Sequence, residues 1–270
     1  MRFLSLVTVA LSLAVPSLCD ERIIFGSPTK PGEFESFVLL LEKGEAICGG
    51  VAVNEKTVIT AAHCVESQKR WYTIAKNDLS LDEFGFLESA GAISVIDKGF
   101  ASKYNASTSE NDIAILKLVS ALPPPYAEIE YNASYNGDLT YVGFGANSEY
   151  PYFDYGDEVL YEGSEELYQI TLKQGKFGEY PCPKKWRGIE LSNTKQVCPY
   201  SDEYTDSKYK STGLGSTCYG DSGGPGYGSN GKVVTLVSKG PRGCNREGAV
   251  VNFAIDTRLS GYKKFLQNKI

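Results

Sequence analysis

No long amphipathic helix is legible in this chain until its last dozen residues, and that shapes every fold it can adopt. The apolar residues instead form short β-type runs separated by Gly, Asn, Asp, Ser and Pro. Residues 36–41, 49–53, 57–60, 92–96 and 113–118 read as strands in the first half, and 139–144, 167–172, 233–237 and 249–255 in the second. Near the end, Leu259, Tyr262, Phe265 and Leu266 fall on one helical face, predicting a short helix over about 259–267. Many short strands with frequent turn signals read as all-β, either sandwich or barrel. Pro123, Pro124 and Pro125 remove three consecutive backbone donors, so no sheet runs through residues 121–126, the best linker position. No internal repeat is visible at the residue level.

The first nineteen residues read as an address rather than as fold. Arg2 opens them, an apolar run covers 3–15, Pro16 breaks it, and Ser17 and Cys19 stand at minus three and minus one of a cut before Asp20. The run is too short to span a membrane, and no later segment reaches that length. Secretion is expected. Of the seven cysteines, removing Cys19 leaves Cys48, Cys64, Cys182, Cys198, Cys218 and Cys244. An even set in an exported chain reads as disulfides, with fifteen possible pairings. No CxxC spacing occurs, so no metal site is assigned. Asp78, Asp82 and Glu83 leave calcium open as a ligand, although an acidic loop of this kind is ordinarily just solvated. A net charge of −6 disfavours nucleic acid as a partner. Asn105-Ala106-Ser107 and Asn132-Ala133-Ser134 are candidate glycosylation acceptors in turn-like stretches.

The only histidine, His63, sits in Thr60-Ala61-Ala62-His63-Cys64. Asn111-Asp112-Ile113-Ala114 lies between it and Gly220-Asp221-Ser222-Gly223-Gly224-Pro225. A general base, an orienting carboxylate and an activated hydroxyl are the parts of acyl transfer through a serine. Gly220 has no side chain to keep its N–H from a developing oxyanion, and the Ser222 N–H can be the second donor. Taken singly, each motif has an ordinary reading: a flexible glycine turn, a packed histidine, a strand start. The order His, Asp, Ser excludes the Ser, Asp, His arrangement of lipases and esterases. With these motifs and the six cysteines, residues 23 to about 265 resemble the chymotrypsin/trypsin family of serine endopeptidases.

The resemblance implies an all-β fold of two antiparallel six-stranded β-barrels, about 23–120 and about 127–257, with the site in the cleft between them and a short C-terminal helix. It implies the pairs Cys48–Cys64, Cys182–Cys198 and Cys218–Cys244. It makes His63 the base for Ser222, Asp112 the residue holding the imidazole, and Ser238 a hydroxyl supporting Asp112. Arg22 precedes Ile23-Ile24-Phe25-Gly26, which is similar to the family's mature start, so residues 20–22 form a propeptide cut by a trypsin-like protease. The freed Ile23 ammonium then neutralises Asp221, whose burial would otherwise be costly.

Ser216, where trypsins carry aspartate, predicts an uncharged pocket for aromatic or large apolar residues, with Thr217, Gly240 and Gly248 nearby and Glu247 as an alternative source of charge. Tyr219, Arg242 and Lys239 make the cleft rim atypical, Lys239 replacing the family's usual tryptophan by a cation open to acidic groups. Residues 147–166 exceed the family's usual length and read as a solvated surface loop. A monomer without cofactor is expected, acting on proteins or peptides and open to protein inhibitors. The competing reading is a non-catalytic relative that binds a partner through the same scaffold.

Overall fold

The computed structural model describes residues 23–66, 72–76, 92–145, 152–153, 159–160, 166–202, 205–206, 212–240, 244 and 251–270. Residues 1–19, expected to be a leader, residues 20–22, the acidic loop at 78–83 and most of 147–166 lie outside them.

Six strands close the first barrel: β1 Phe37–Glu42, β2 Glu45–Asn54, β3 Thr57–Thr60, β4 Tyr72–Lys76, β5 Ile93–Phe100 and β6 Ala114–Leu118. Around the ring they run β1-β2-β3-β6-β5-β4, and β4 pairs back onto β1. The continuous apolar run of β1 follows from this closure. Val38 and Leu40 join Ala52, Val58, Ile74 and Leu116 inside the barrel. Phe37, Leu39 and Leu41 face the other way, packing with Ile59, Ile115, Val142 and Leu236 in a core shared with the second barrel. A strand buried on both faces loses the alternation of a half-exposed one. Each fully buried Leu, Ile or Phe adds roughly 1.5–3 kcal/mol of transfer free energy.

The second barrel uses β7 Leu139–Gly143, β8 Tyr168–Gly175, β9 Gln196–Ser201, β10 Pro225–Gly228, β11 Val233–Lys239 and β12 Ile255–Arg258. Its ring order is β7-β8-β9-β12-β11-β10, closed by β10 on β7, so it repeats the first barrel strand for strand. The repetition absent at the residue level is present in topology. Ile23, Leu139, Tyr141, Ile170, Val197 and Val237 fill the interior.

The proline segment crosses between the barrels. The Ala127 N–H donates to the Ala52 carbonyl in barrel one, and the Glu130 N–H donates to the Val233 carbonyl in barrel two. At the C-terminus a 3₁₀ turn, Leu259–Tyr262, leads into the helix Lys263–Lys269, and Leu259, Tyr262 and Leu266 are buried in the shared core. All three expected disulfides are formed, with Cα–Cα distances of 6.2, 6.1 and 5.1 Å for Cys48–Cys64, Cys182–Cys198 and Cys218–Cys244.

Candidate active site

Strand β3 delivers its chain directly to the short helix α1, Ala62–Val65, which carries His63 on its second residue. Cys64 on the same turn is tied to β2 through Cys48, so the imidazole stands on an anchored element. Asp112 precedes β6 and is fully buried. Its Oδ1 accepts the His63 backbone N–H at 2.9 Å, and its Oδ2 lies 2.7 Å from His63 Nδ1. The Ser238 hydroxyl donates to the same Oδ2, and the Thr257 hydroxyl donates to the Asp112 carbonyl at 2.9 Å. A carboxylate on Nδ1 holds the proton there and leaves the Nε2 lone pair for a substrate-side proton. Cys48 and Cys64 lie beside the ring, but their sulfurs are consumed in the disulfide and offer no thiolate to a metal.

Ser222 sits on a turn that barrel two presses into barrel one. The Gly49 N–H of β2 donates to the Ser222 carbonyl at 2.7 Å, and the Thr60 hydroxyl donates to the Gly49 carbonyl at 2.7 Å. Gly223 has a φ of +76°, and a Cβ on it would stand 2.2 Å from Thr60 Oγ1 and 2.6 Å from the Gly49 carbonyl oxygen. No other residue combines that backbone with that approach. Among the described residues, no backbone acceptor takes the N–H of Gly220 or of Ser222, so both donors are open beside the hydroxyl. His63 Nε2 lies 3.7 Å from Cys64 Sγ and is not hydrogen-bonded to Ser222. In a substrate-free site such bonds are often long and tighten on binding.

Beside Ser222 opens a cavity of about 540 Å³. Thr217, Tyr219, Ser238, Lys239 and Gly240 line it, as does the Cys218–Cys244 bridge. Ser216, expected at the floor, is buried and donates its hydroxyl to the Thr217 carbonyl at 2.8 Å, while Thr217 beside it lines the cavity. Among the described lining residues there is no carboxylate. Gly248, Glu247 and Arg242 lie outside the described residues. Trp186 and Arg187, which sequence reasoning missed, complete the outer wall. The acceptors Asn105 and Asn132 are both exposed, each side chain accepting a backbone N–H two residues on.

Asp221 is buried behind the same turn. Its oxygens accept the N–H groups of Gly145 and Cys218, both at 2.8 Å, and burial pushes its carboxyl up to about 7. Ile23 and Ile24 are also fully buried, and the Ile24 carbonyl accepts the Ser216 N–H at 3.1 Å, so the start of the described chain is docked against the pocket segment.

A further buried carboxylate was not anticipated. Asp256 on β12 accepts the Ser238 N–H at 3.1 Å, its Oδ2 has no hydrogen-bond partner, and burial pushes it up to about 7. Its signal in the sequence is an acidic residue inside the apolar run Phe253-Ala254-Ile255-Asp256.

A scan of family models matches this chain to Trypsin over residues 23–266. Among curated proteins it is similar to "Trypsin, alkaline A" of Manduca sexta, 28% identical with 98% of each chain covered. "Trypsin, alkaline B" from the same organism is 27% identical over the same shares. Two barrels meeting at a buried Asp–His pair, a serine turn with two open N–H donors and a match of this extent lead to one conclusion: the chain belongs to the trypsin family of serine endopeptidases.

Proposed function

We propose that this protein is a secreted serine endopeptidase that cleaves peptide bonds after aromatic or large apolar residues and is made as a zymogen. The observation that carries the catalytic half is the fully buried Asp112 on His63 Nδ1 beside the open N–H donors at Ser222. Ser222 attacks the scissile carbonyl while His63 Nε2 takes its proton. The Gly220 and Ser222 N–H groups receive the oxyanion, and His63 then protonates the leaving amine. Water repeats the sequence on the acyl-enzyme. Asp112 stabilises the imidazolium without taking its proton.

For the pocket, the reading is supported by a wall of Thr217, Val237, Gly240 and a disulfide, without a fixed carboxylate among the described residues. A Phe or Tyr ring gains a few kcal/mol there from apolar area, while a Lys or Arg side chain loses water without a counter-charge. For activation, the reading is supported by Asp221, buried on two neutral donors, and by the docked Ile23. Residues 1–19 act as the export signal and 20–22 as the propeptide; cleavage after Arg22 creates the ammonium that pairs with Asp221. Three disulfides suit an oxidising compartment.

The test uses protein cut after Arg22 and a peptide library varied at P1. Aromatic and Leu substrates should exceed Lys and Arg at least tenfold in kcat/KM, on the order of 1.4 kcal/mol. Preferred cleavage after Lys or Arg overturns the pocket assignment. Ser222→Ala should lower kcat about 10⁶-fold with substrate still bound, and full activity in that variant overturns the mechanism.

A further inference from the structure

The cavity that opens beside Ser222 has an outer wall unlike its floor. Lys185–Trp186 and Ile189–Glu190 form a small antiparallel ladder, joined by Arg187-Gly188. Both turn residues have positive φ, 49° and 84°, as a two-residue hairpin turn requires. The hairpin is held from beneath: the Trp186 ring meets Phe253 edge-on at 6.1 Å, over the core that surrounds Cys182–Cys198. Arg187 is therefore presented on a braced turn, with its backbone predetermined, at the mouth of the cavity. Opposite it, Lys239 ends β11 one residue after Ser238 and lines the same cavity.

Among the described residues neither of these two cations forms an ion pair, and Lys239 spends one N–H on the Ala106 carbonyl at 2.7 Å. Partial burial and the Arg187 charge push the Lys239 ammonium down from its ordinary value, against a smaller opposing pull from Asp112. Trp186 serves as the brace beneath the turn rather than as a donor, since its Nε1–H is shut off from solvent. Two like charges thus border one cavity, in a chain whose net charge is −6. What is missing is an anionic acceptor, and a bound substrate is the molecule positioned to bring it.

We infer that Arg187 and Lys239 form a subsite for an Asp or Glu side chain of the substrate, on the stretch preceding the cleaved bond. The inference rests on the endopeptidase reading and sharpens its substrate class: an acidic residue at one of P2 to P4, followed by the residue that enters the pocket. An incoming carboxylate relieves the repulsion between the two cations, and the planar guanidinium can grip it through two N–H groups. Because the rim is partly exposed, each pair contributes modestly and is weakened by salt.

The experiment walks Asp against its isostere Asn through P2, P3 and P4 of N-acetylated peptides with Phe at P1, using the protein cut after Arg22. Two readouts are taken: kcat/KM on the active protein, and Kd by fluorescence anisotropy on Ser222→Ala. At one of these positions Asp should exceed Asn by about three- to tenfold, mainly through KM, and the ratio should shrink toward one at high salt. Arg187→Glu, on an exposed turn, should bring the ratio below one and make Lys preferred at that position, and Lys239→Glu should act in the same direction. An Asp/Asn ratio at or below one at all three positions overturns the subsite, even with the peptides well cleaved. If Phe at P1 is not accepted, the aromatic pocket reading fails by kcat/KM while the ratio of Kd values still decides the subsite. A ratio unchanged in both charge-reversal variants also overturns it.

Discussion

Asp112 and Asp221 are both buried, yet their surroundings answer the cost of burial in opposite ways. Asp112 has an ionisable ring on one oxygen, a hydroxyl on the same oxygen and a backbone donor on the other. Asp221 has two backbone N–H groups and, among the described residues, no cation. Two neutral donors do not offset desolvation, so the Asp221 carboxyl is pushed up to about 7 and holds its proton through much of the acidic range. The first region finds an ionisable partner on folding, whereas the second keeps neutral donors alone among the described residues. A carboxylate of the second kind suits the proposed activation switch, because a new cation beside it would change its charge state.

The largest expected effect comes from breaking the finished side. Asp112→Asn should lower kcat by about 10⁴-fold with KM little changed, since the ring then loses the group that fixes its tautomer. Steady-state kinetics on the cut protein check this, and a loss below tenfold would show that His63 is oriented by something else. On the unfinished side, Asp221→Asn should spare the uncut chain and cripple its activation. After cleavage behind Arg22 the variant should stay about 10²-fold or more below the cut parent, because Asp221 stands in the chain between Gly220 and Ser222, the two donors proposed for the oxyanion. Equal activation of variant and parent would separate Asp221 from the switch.

The smallest effect is on stability. Asp221 and Asp256 have folded pKa values of about 7, raised from 3.8, so between about pH 4 and 7 the folded chain binds more protons than the unfolded one. Stability contributed by their protonated forms is complete below about 4 and is lost as pH rises to about 7. Thermal melts of the uncut chain should therefore show Tm falling across that window. Asp256→Asn should flatten the slope, and cleavage after Arg22 should flatten it further by giving Asp221 a cation. A Tm that rises from pH 4 to 7 in the uncut chain and is insensitive to both changes would break the comparison.

Much of the fold was legible as local pattern. Thr57–Thr60 is a strand over the residues expected, and the face of Leu259, Tyr262 and Leu266 is the buried one. Strands β9 and β10 were not anticipated, because Pro199 interrupts one and Pro225-Gly226-Tyr227-Gly228 reads as a turn. Barrel closure supplies their partners and overrides those signals. Strand β4 is a short mixed run whose pairing with β1 and β5 becomes evident in the closed ring. The two barrels share one strand order without a shared residue pattern, since many side-chain sets fill a small barrel once its inward positions are apolar.

The same division runs through the site. Residue identity alone settled the chemistry on offer: one imidazole, a serine in Gly220-Asp221-Ser222-Gly223, an Asp in the intervening motif, and six cysteines besides Cys19. Those are covalent facts, and no packing changes them. Tertiary structure alone decided that Asp112 meets His63 and that Ser238 joins them from a strand 126 residues on. It also brought Arg187 to Lys239 and set Asp256 behind Ser238. Such meetings depend on how barrel closure aims each strand's alternate side chains, and closure is a property of all six strands at once rather than of any window of sequence.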